Sequence, residues 1–182
     1  MRPAVFLDRD GTLIEERGYL DRIELLQLFP FTADAIRLLN RAGFATVVIT
    51  NQAAIGRGVI EESFLSEVHD EIDARLARGH ARIERYYHCP HHPDARCTCR
   101  KPAPGMILQA CRDMGLDPAR SFMIGDRWLD VRCGHAAGTR AVLVRTGHGA
   151  HDEERAPGHP LADAILNNLM EAVAWILRSS WR

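Results

Sequence analysis

Pro3-Ala4-Val5-Phe6-Leu7-Asp8-Arg9-Asp10-Gly11-Thr12 opens with a short apolar run and stops abruptly at two carboxylates. Such a run, without polar alternation, predicts a strand buried on both faces. Ala45-Thr46-Val47-Val48-Ile49-Thr50 repeats the pattern with more β-branched residues and ends at Thr50-Asn51-Gln52. Further strands are predicted over 83–88, 121–124 and 141–144, the second of these running into Gly125-Asp126-Arg127. Between them, helices are predicted over 34–42, 61–78, 104–114 and 130–137. The helix over 61–78 places Leu65, Val68, Ile72 and Leu76 on one stripe. Periodicity alone would make 161–177 one helix; the preferred reading is a short strand over 163–166 and a helix starting near Asn168. Strands alternating with helices imply an α/β fold, a Rossmann-like parallel sheet covered on both faces in three layers.

Ligands of such sheets sit beyond the carboxyl ends of the strands. Asp8, Thr50 and Asp126 each fall at or just past such an end, and Lys101 precedes a helix. Parallel topology brings all four to one edge. Carboxylates gathered there repel one another, and a divalent cation relieves the repulsion; magnesium suits hard oxygen ligands best. A carboxylate can attack phosphorus to give an acyl phosphate that water then hydrolyses, which makes Asp8 the expected nucleophile. Asp10 is the expected general acid and base. Thr50 and Lys101 would meet charge on the transferred group, and Asp126 would complete the magnesium site.

The segment 88–101 suggests a second metal. Cys89, His91, Cys97 and Cys99 supply three thiolates and an imidazole within eleven positions. Four such ligands form a closed tetrahedral zinc site, structural rather than catalytic. His92 competes with His91; His91 is favoured because it keeps the Cys-x-His and Cys-x-Cys pairs symmetrical. Cys111 and Cys133 lie in predicted helices and read as small core residues.

Composition bounds the remaining possibilities. The 182 residues are 46% hydrophobic and 26% charged with a formal net charge of −1. One phosphatase domain over 1–182 is expected. Nothing points to nucleic acid or membrane as a partner. The first apolar run is too short for a signal peptide, so a cytoplasmic protein is expected. No long exposed apolar face is evident, so a monomer is expected.

Asp8-x-Asp10-Gly11-Thr12, Thr50, Lys101 and Gly125-Asp126 with Asp130 resemble the four motifs of the haloacid dehalogenase superfamily. That resemblance implies its fold and an aspartyl-phosphate mechanism. Only about twenty residues separate Thr12 from the first helix, too few for a large cap domain. The zinc loop, Gly18-Tyr19, Thr50-Asn51-Gln52 and Val144-Arg145-Thr146-Gly147 narrow the similarity to the D-glycero-D-manno-heptose-1,7-bisphosphate 7-phosphatases. The resemblance implies removal of the 7-phosphate of a sugar bisphosphate, feeding nucleotide-activated heptose for lipopolysaccharide or other surface glycans. It implies that Asp10 also offers magnesium its backbone carbonyl. It implies a sugar pocket lined by Glu16, Arg17, Gly18, Tyr19, Asn51, Gln52 and Ala53, with Arg100 on the distal phosphate. Arg127 stands where relatives often have Lys. Five residues between His91 and Cys97 come closer to the related histidinol-phosphate phosphatases, which are the alternative. Arg100 and Arg127 suit a second phosphate better than a cationic amine.

Overall fold

Strand β1 (Ala4–Leu7) is buried along its whole length, and its side chains alternate between two apolar clusters. Val5 and Leu7 point into one, Ala4 and Phe6 into the other. This two-sided burial is what the uninterrupted apolar run requires, since successive strand residues face opposite sides. The computed structural model describes residues 1–155 and 162–179.

The other strands are β2 (Ala45–Asn51), β3 (Arg85–Cys89), β4 (Phe122–Gly125), β5 (Arg140–Val144) and β6 (Ala164–Leu166). They form one sheet in the order β3-β2-β1-β4-β5-β6, with every neighbouring pair parallel. The helices are α1 (Thr32–Arg41), α2 (Ala53–Gly56), α3 (Glu62–Arg78), α4 (Gly105–Met114), α5 (Trp128–Ala136), α6 (Gly149–Arg155) and α7 (Leu169–Ser179). Ile36 and Leu39 of α1, Ile72 and Leu76 of α3 and Leu169 and Val173 of α7 cover the face of Val5 and Leu7. Met106 and Ile107 of α4 and Val131 and Cys133 of α5 cover the face of Phe6. Each fully buried Leu, Ile or Phe contributes roughly 1.5–3 kcal/mol, so the two apolar layers hold the strand ends in place.

Several bounds differ from expectation for local reasons. Helix α1 starts two residues early, at Thr32, whose hydroxyl donates to the Leu13 carbonyl at 2.8 Å. Strand β3 starts late, its pairing with β2 beginning at Arg85 opposite Val47. Helix α5 starts at Trp128 because the Asp130 carboxylate accepts from the Arg127 N–H at 3.1 Å and caps it. Short helices α2 and α6 have no counterpart in the sequence reading. In the tail, the Asn168 side chain accepts from the Glu171 N–H at 3.0 Å and starts α7. A single helix over 161–177 is therefore not formed; residue 161 itself lies outside the described residues.

Between β1 and α1 the chain holds only single bridges (Asp10 with Ile14, Ile14 with Leu28) and a 3-10 turn at Ile23–Leu25. There is no large cap among the described residues. No helix there is long and apolar enough to cross a membrane.

Candidate active site

Four parallel strands deliver their polar ends to one edge. Asp8 follows β1, and its N–H donates to the Ile124 carbonyl of β4 at 2.9 Å. Lys101 is the hub of the site. Its buried ammonium lies 2.7 Å from Asp8 Oδ1 and 2.7 Å from Asp130 Oδ1, and donates to the Ile49 carbonyl at 2.9 Å. Two carboxylates and one carbonyl thus surround the ammonium. The Lys101 backbone is fixed from β2: its N–H donates to Asn51 Oδ1 at 3.0 Å, and Asn51 Nδ2 donates to its carbonyl at 3.2 Å.

Candidate metal ligands gather around Asp8. Ligand oxygens of Asp8, Asp126 and Asp130 all lie within 4.8 Å of one another. Burial first, with Asp130 and Asp10 adding to it, outweighs the pull of Lys101 and leaves the Asp8 carboxyl raised to about 7. Burial, then Asp8 and Asp130, push Asp126 up to about 8. Burial alone would lower Lys101, but Asp130 and Asp8 outweigh it and hold the ammonium above its usual range. Three ionised carboxylates facing one ammonium leave two negative charges, which a dication balances with equal and opposite charge. The donors are all hard oxygens, so the set fits magnesium. Asp126 is held by the His148 N–H, donating at 2.7 Å. Gly11 (φ +75°) and Gly147 (φ +57°) flank it so closely that a Cβ on either would overlap Asp126 Oδ2. Glycine here is a matter of space as well as backbone angle.

Asp10 accepts from the Arg9 guanidinium and from Gln52 Nε2 at 3.0 Å. The same Gln52 nitrogen donates to Thr50 Oγ1 at 2.8 Å, which leaves the Thr50 hydroxyl proton available to a ligand. These groups open into a cleft of about 270 Å³. Of the residues expected to line the sugar pocket, Glu16, Gly18, Tyr19, Asn51, Gln52, Ala53, Arg100 and Arg127 border this cleft. Arg17 does not: its guanidinium turns away to pair with Glu15 and to donate to Gln27 Oε1 at 3.2 Å. Sequence reasoning missed Arg57, His148 and Leu129, which also border the cleft, and the side chain of Arg9. Arg57 carried a weak signal, lying six residues beyond Asn51 at the polar end of β2.

The four expected zinc ligands do converge. The Cys99 sulfur is 3.1 Å from Cys89 and 3.5 Å from Cys97, and His91 Nδ1 is 3.2 Å from Cys99 and 3.5 Å from Cys89. A tetrahedron with ligand bonds of about 2.0–2.3 Å has edges of roughly 3.3–3.8 Å, so the cluster fits zinc. His92 points away and pairs with Asp94 at 3.2 Å. Burial drives the Cys89 thiol up to about 12; burial also opposes the Cys97 thiolate, but the Arg100 N–H and then the Cys99 and Cys89 thiols outweigh it and bring Cys97 down to about 7. The cluster therefore ends where Arg100 and Lys101 begin.

A three-layer parallel sheet with Asp8, Lys101, Asp126 and Asp130 at its carboxyl edge is the architecture of hydrolases of the haloacid dehalogenase type. Residues 98–172 match the family model described as HAD-hydrolase-like. A relative from Yersinia pestis, named D-glycero-beta-D-manno-heptose-1,7-bisphosphate 7-phosphatase, is 43% identical over 179 residues, covering 93% of this chain and 92% of its own. The Escherichia coli K12 relative of that name is 39% identical, with 93% and 91% coverage. The crystal structure of D,D-heptose 1,7-bisphosphate phosphatase from B. bronchiseptica, complexed with magnesium and phosphate, superposes with a TM-score of 0.91. It is 28% identical and covers 98% of this chain and 99% of that one. The chain belongs to the D-glycero-beta-D-manno-heptose-1,7-bisphosphate 7-phosphatase family, a family of phosphoric monoester hydrolases.

Proposed function

We propose that this protein hydrolyses the 7-phosphate of D-glycero-D-manno-heptose 1,7-bisphosphate, with magnesium at Asp8, Asp126 and the Asp10 carbonyl and with Asp8 as nucleophile. The observation that carries the reading is the pairing of Asp8. Its ion pair with Lys101 and its hydrogen bond from the Arg9 N–H both fall on Oδ1, which leaves Oδ2 to attack. Bound magnesium would neutralise the carboxylates and the phosphoryl oxygens.

The chain's own residues then supply the chemistry. Oδ2 of Asp8 bonds to phosphorus as the bond to the sugar oxygen breaks, and Asp10 gives its proton to that oxygen. Water next attacks the phosphorus of the acyl phosphate and loses its proton to Asp10. The bond to Asp8 breaks, releasing inorganic phosphate and restoring the carboxylate. Thr50 and Lys101 hold the oxygens of the transferred group. Arg57, Arg100 and Arg127 on the cleft wall favour a substrate with a second phosphate and oppose an amine such as histidinol phosphate. The relatives' names make the β anomer the first candidate. Zinc at Cys89, His91, Cys97 and Cys99 would be structural. The same reading treats 1–182 as one phosphatase domain, a cytoplasmic monomer that makes activated heptose for surface glycans.

The test is phosphate release, with magnesium, from both anomers of the bisphosphate and from histidinol phosphate, by wild type and Asp8→Asn. The expected result is a preference in kcat/KM for the bisphosphate and no turnover by Asp8→Asn with its zinc retained. A preference for histidinol phosphate would overturn the substrate, and an active Asp8→Asn would overturn the nucleophile.

A further inference from the structure

The geometry points to Arg9 as a positioning residue for Asp10, a fixed guanidinium fork that aims the acid/base carboxylate and meets the charge developing on it. Arg9 is the middle residue of Asp8-x-Asp10, yet its side chain is only 3% exposed. Its Nε lies 3.2 Å and 3.1 Å from the two Asp10 oxygens, and Nη2 lies 2.9 Å from Oδ1. Asp10 is the only carboxylate it pairs with among the described residues. Its Nη1 is buried with no hydrogen-bond partner there, so the guanidinium is incompletely satisfied.

A buried, imperfectly solvated cation is costly unless its pairing is strong. Nothing about a turn at the end of β1 demands that cost, because an outward-facing residue would serve the backbone equally well. What the burial does achieve is constraint. The planar fork fixes the plane of the Asp10 carboxylate, and Gln52 Nε2 fixes Oδ2 from a second direction while reaching Thr50. The acid/base group and the phosphoryl-binding hydroxyl are thereby held in one frame. As the Asp10 proton passes to the leaving oxygen, the carboxylate charge that appears meets a guanidinium already aligned with it. In the second half the fork holds the same carboxylate while it takes a proton from water.

This inference rests on the reading of Asp10 as acid and base, and the experiment separates the two. Leaving-group protonation matters for an alkoxide and hardly at all for p-nitrophenolate, a far weaker base. The measurement is kcat/KM for the heptose bisphosphate and for p-nitrophenyl phosphate, expressed as their ratio, since kcat/KM reports the step that expels the leaving group. Asp10→Asn lowers the ratio by the 10²–10⁴ typical of a lost acid. Arg9→Lys, which keeps the charge and loses the fork, lowers it on the order of tenfold to a hundredfold, the scale of a misplaced catalytic group. Arg9→Gln is the second variant and is expected to fall further. A loss shared equally by both substrates, leaving the ratio unchanged in the folded Arg9 variants, would reduce Arg9 to a structural residue and overturn the inference. An unchanged ratio in Asp10→Asn would instead overturn the role of Asp10.

Discussion

Lys101→Met removes one charge from the most tightly paired part of the molecule and keeps most of the side-chain volume. The ammonium is buried between Asp8 and Asp130, both at 2.7 Å, with Asp130 fully buried and Asp8 nearly so. Without it, three carboxylates within 4.8 Å share no cation in the metal-free protein. Breaking one side of a buried ion pair costs about 3–5 kcal/mol. For a domain of this size, each kcal/mol moves Tm by about 2–4 °C, so a fall of roughly 6–20 °C is expected at pH 7.5 without magnesium. The cost should shrink at pH 5, where the raised Asp8 and Asp126 hold protons. Adding Asp130→Asn should recover stability without recovering turnover, because it removes the orphaned charge but restores no donor. Thermal unfolding followed by circular dichroism, alongside phosphate release, measures both. A single variant melting within about 2 °C of wild type would refute the placement of Lys101 as the charge that holds this cluster.

Three further perturbations test other parts of the site. The folded pKa values of Asp8 and Asp126 exceed their ordinary 3.8, so the folded metal-free chain keeps protons that the unfolded chain has released. Its stability from these groups is full below about pH 4 and is lost as pH rises through about 7 and 8. Stabilisation by magnesium, which must displace those protons, should therefore grow between pH 6 and pH 8.5; equal melting shifts at both would count against the site. Cys97→Ser should lose zinc by elemental analysis and lower kcat, since Arg100 and Lys101 follow the cluster directly; unchanged metal content would remove the cluster from the account. Gly11→Ala places a Cβ against Asp126 Oδ2 at a φ of +75°. The magnesium concentration for half-maximal activity should rise about 10–100-fold, as when an outer support of a metal ligand is lost.

The sheet was legible because each central strand is a short apolar run ending in a polar residue and alternates with helical segments, as strands buried on both faces of a parallel sheet do. The convergence of Cys89, His91, Cys97 and Cys99 was legible for a similar reason: four such side chains in so short a span leave few other arrangements. Helix α2 was hidden because Ala53–Gly56 is a single turn with no periodicity to detect. In the tail, helical spacing competed with strand pairing, and the ladder of Leu143 with Ile165 decided for β6. Side-chain direction in loops was the least legible layer. Arg17 sits between Glu16 and Gly18, both on the cleft, yet pairs outward with Glu15. Arg9 carries nothing in its sequence context to say that its guanidinium folds back onto the neighbouring carboxylate.

The position of β1 has a consequence for how the protein comes into being. Ala4 donates its N–H to the hydroxyl of Ser121, 117 residues further on, and β4, which begins at the next residue, walls in one side of β1. At a ribosomal rate of about 5–20 residues per second, that partner is absent for roughly 6–23 s after Ala4 is made. Through that interval the emerging polypeptide presents Val5, Phe6 and Leu7 with half their neighbours missing. The backbone N–H of Asp8, which follows them, cannot yet donate to the Ile124 carbonyl. The strand that carries Asp8 therefore lacks one of its two walls until β4 has been translated.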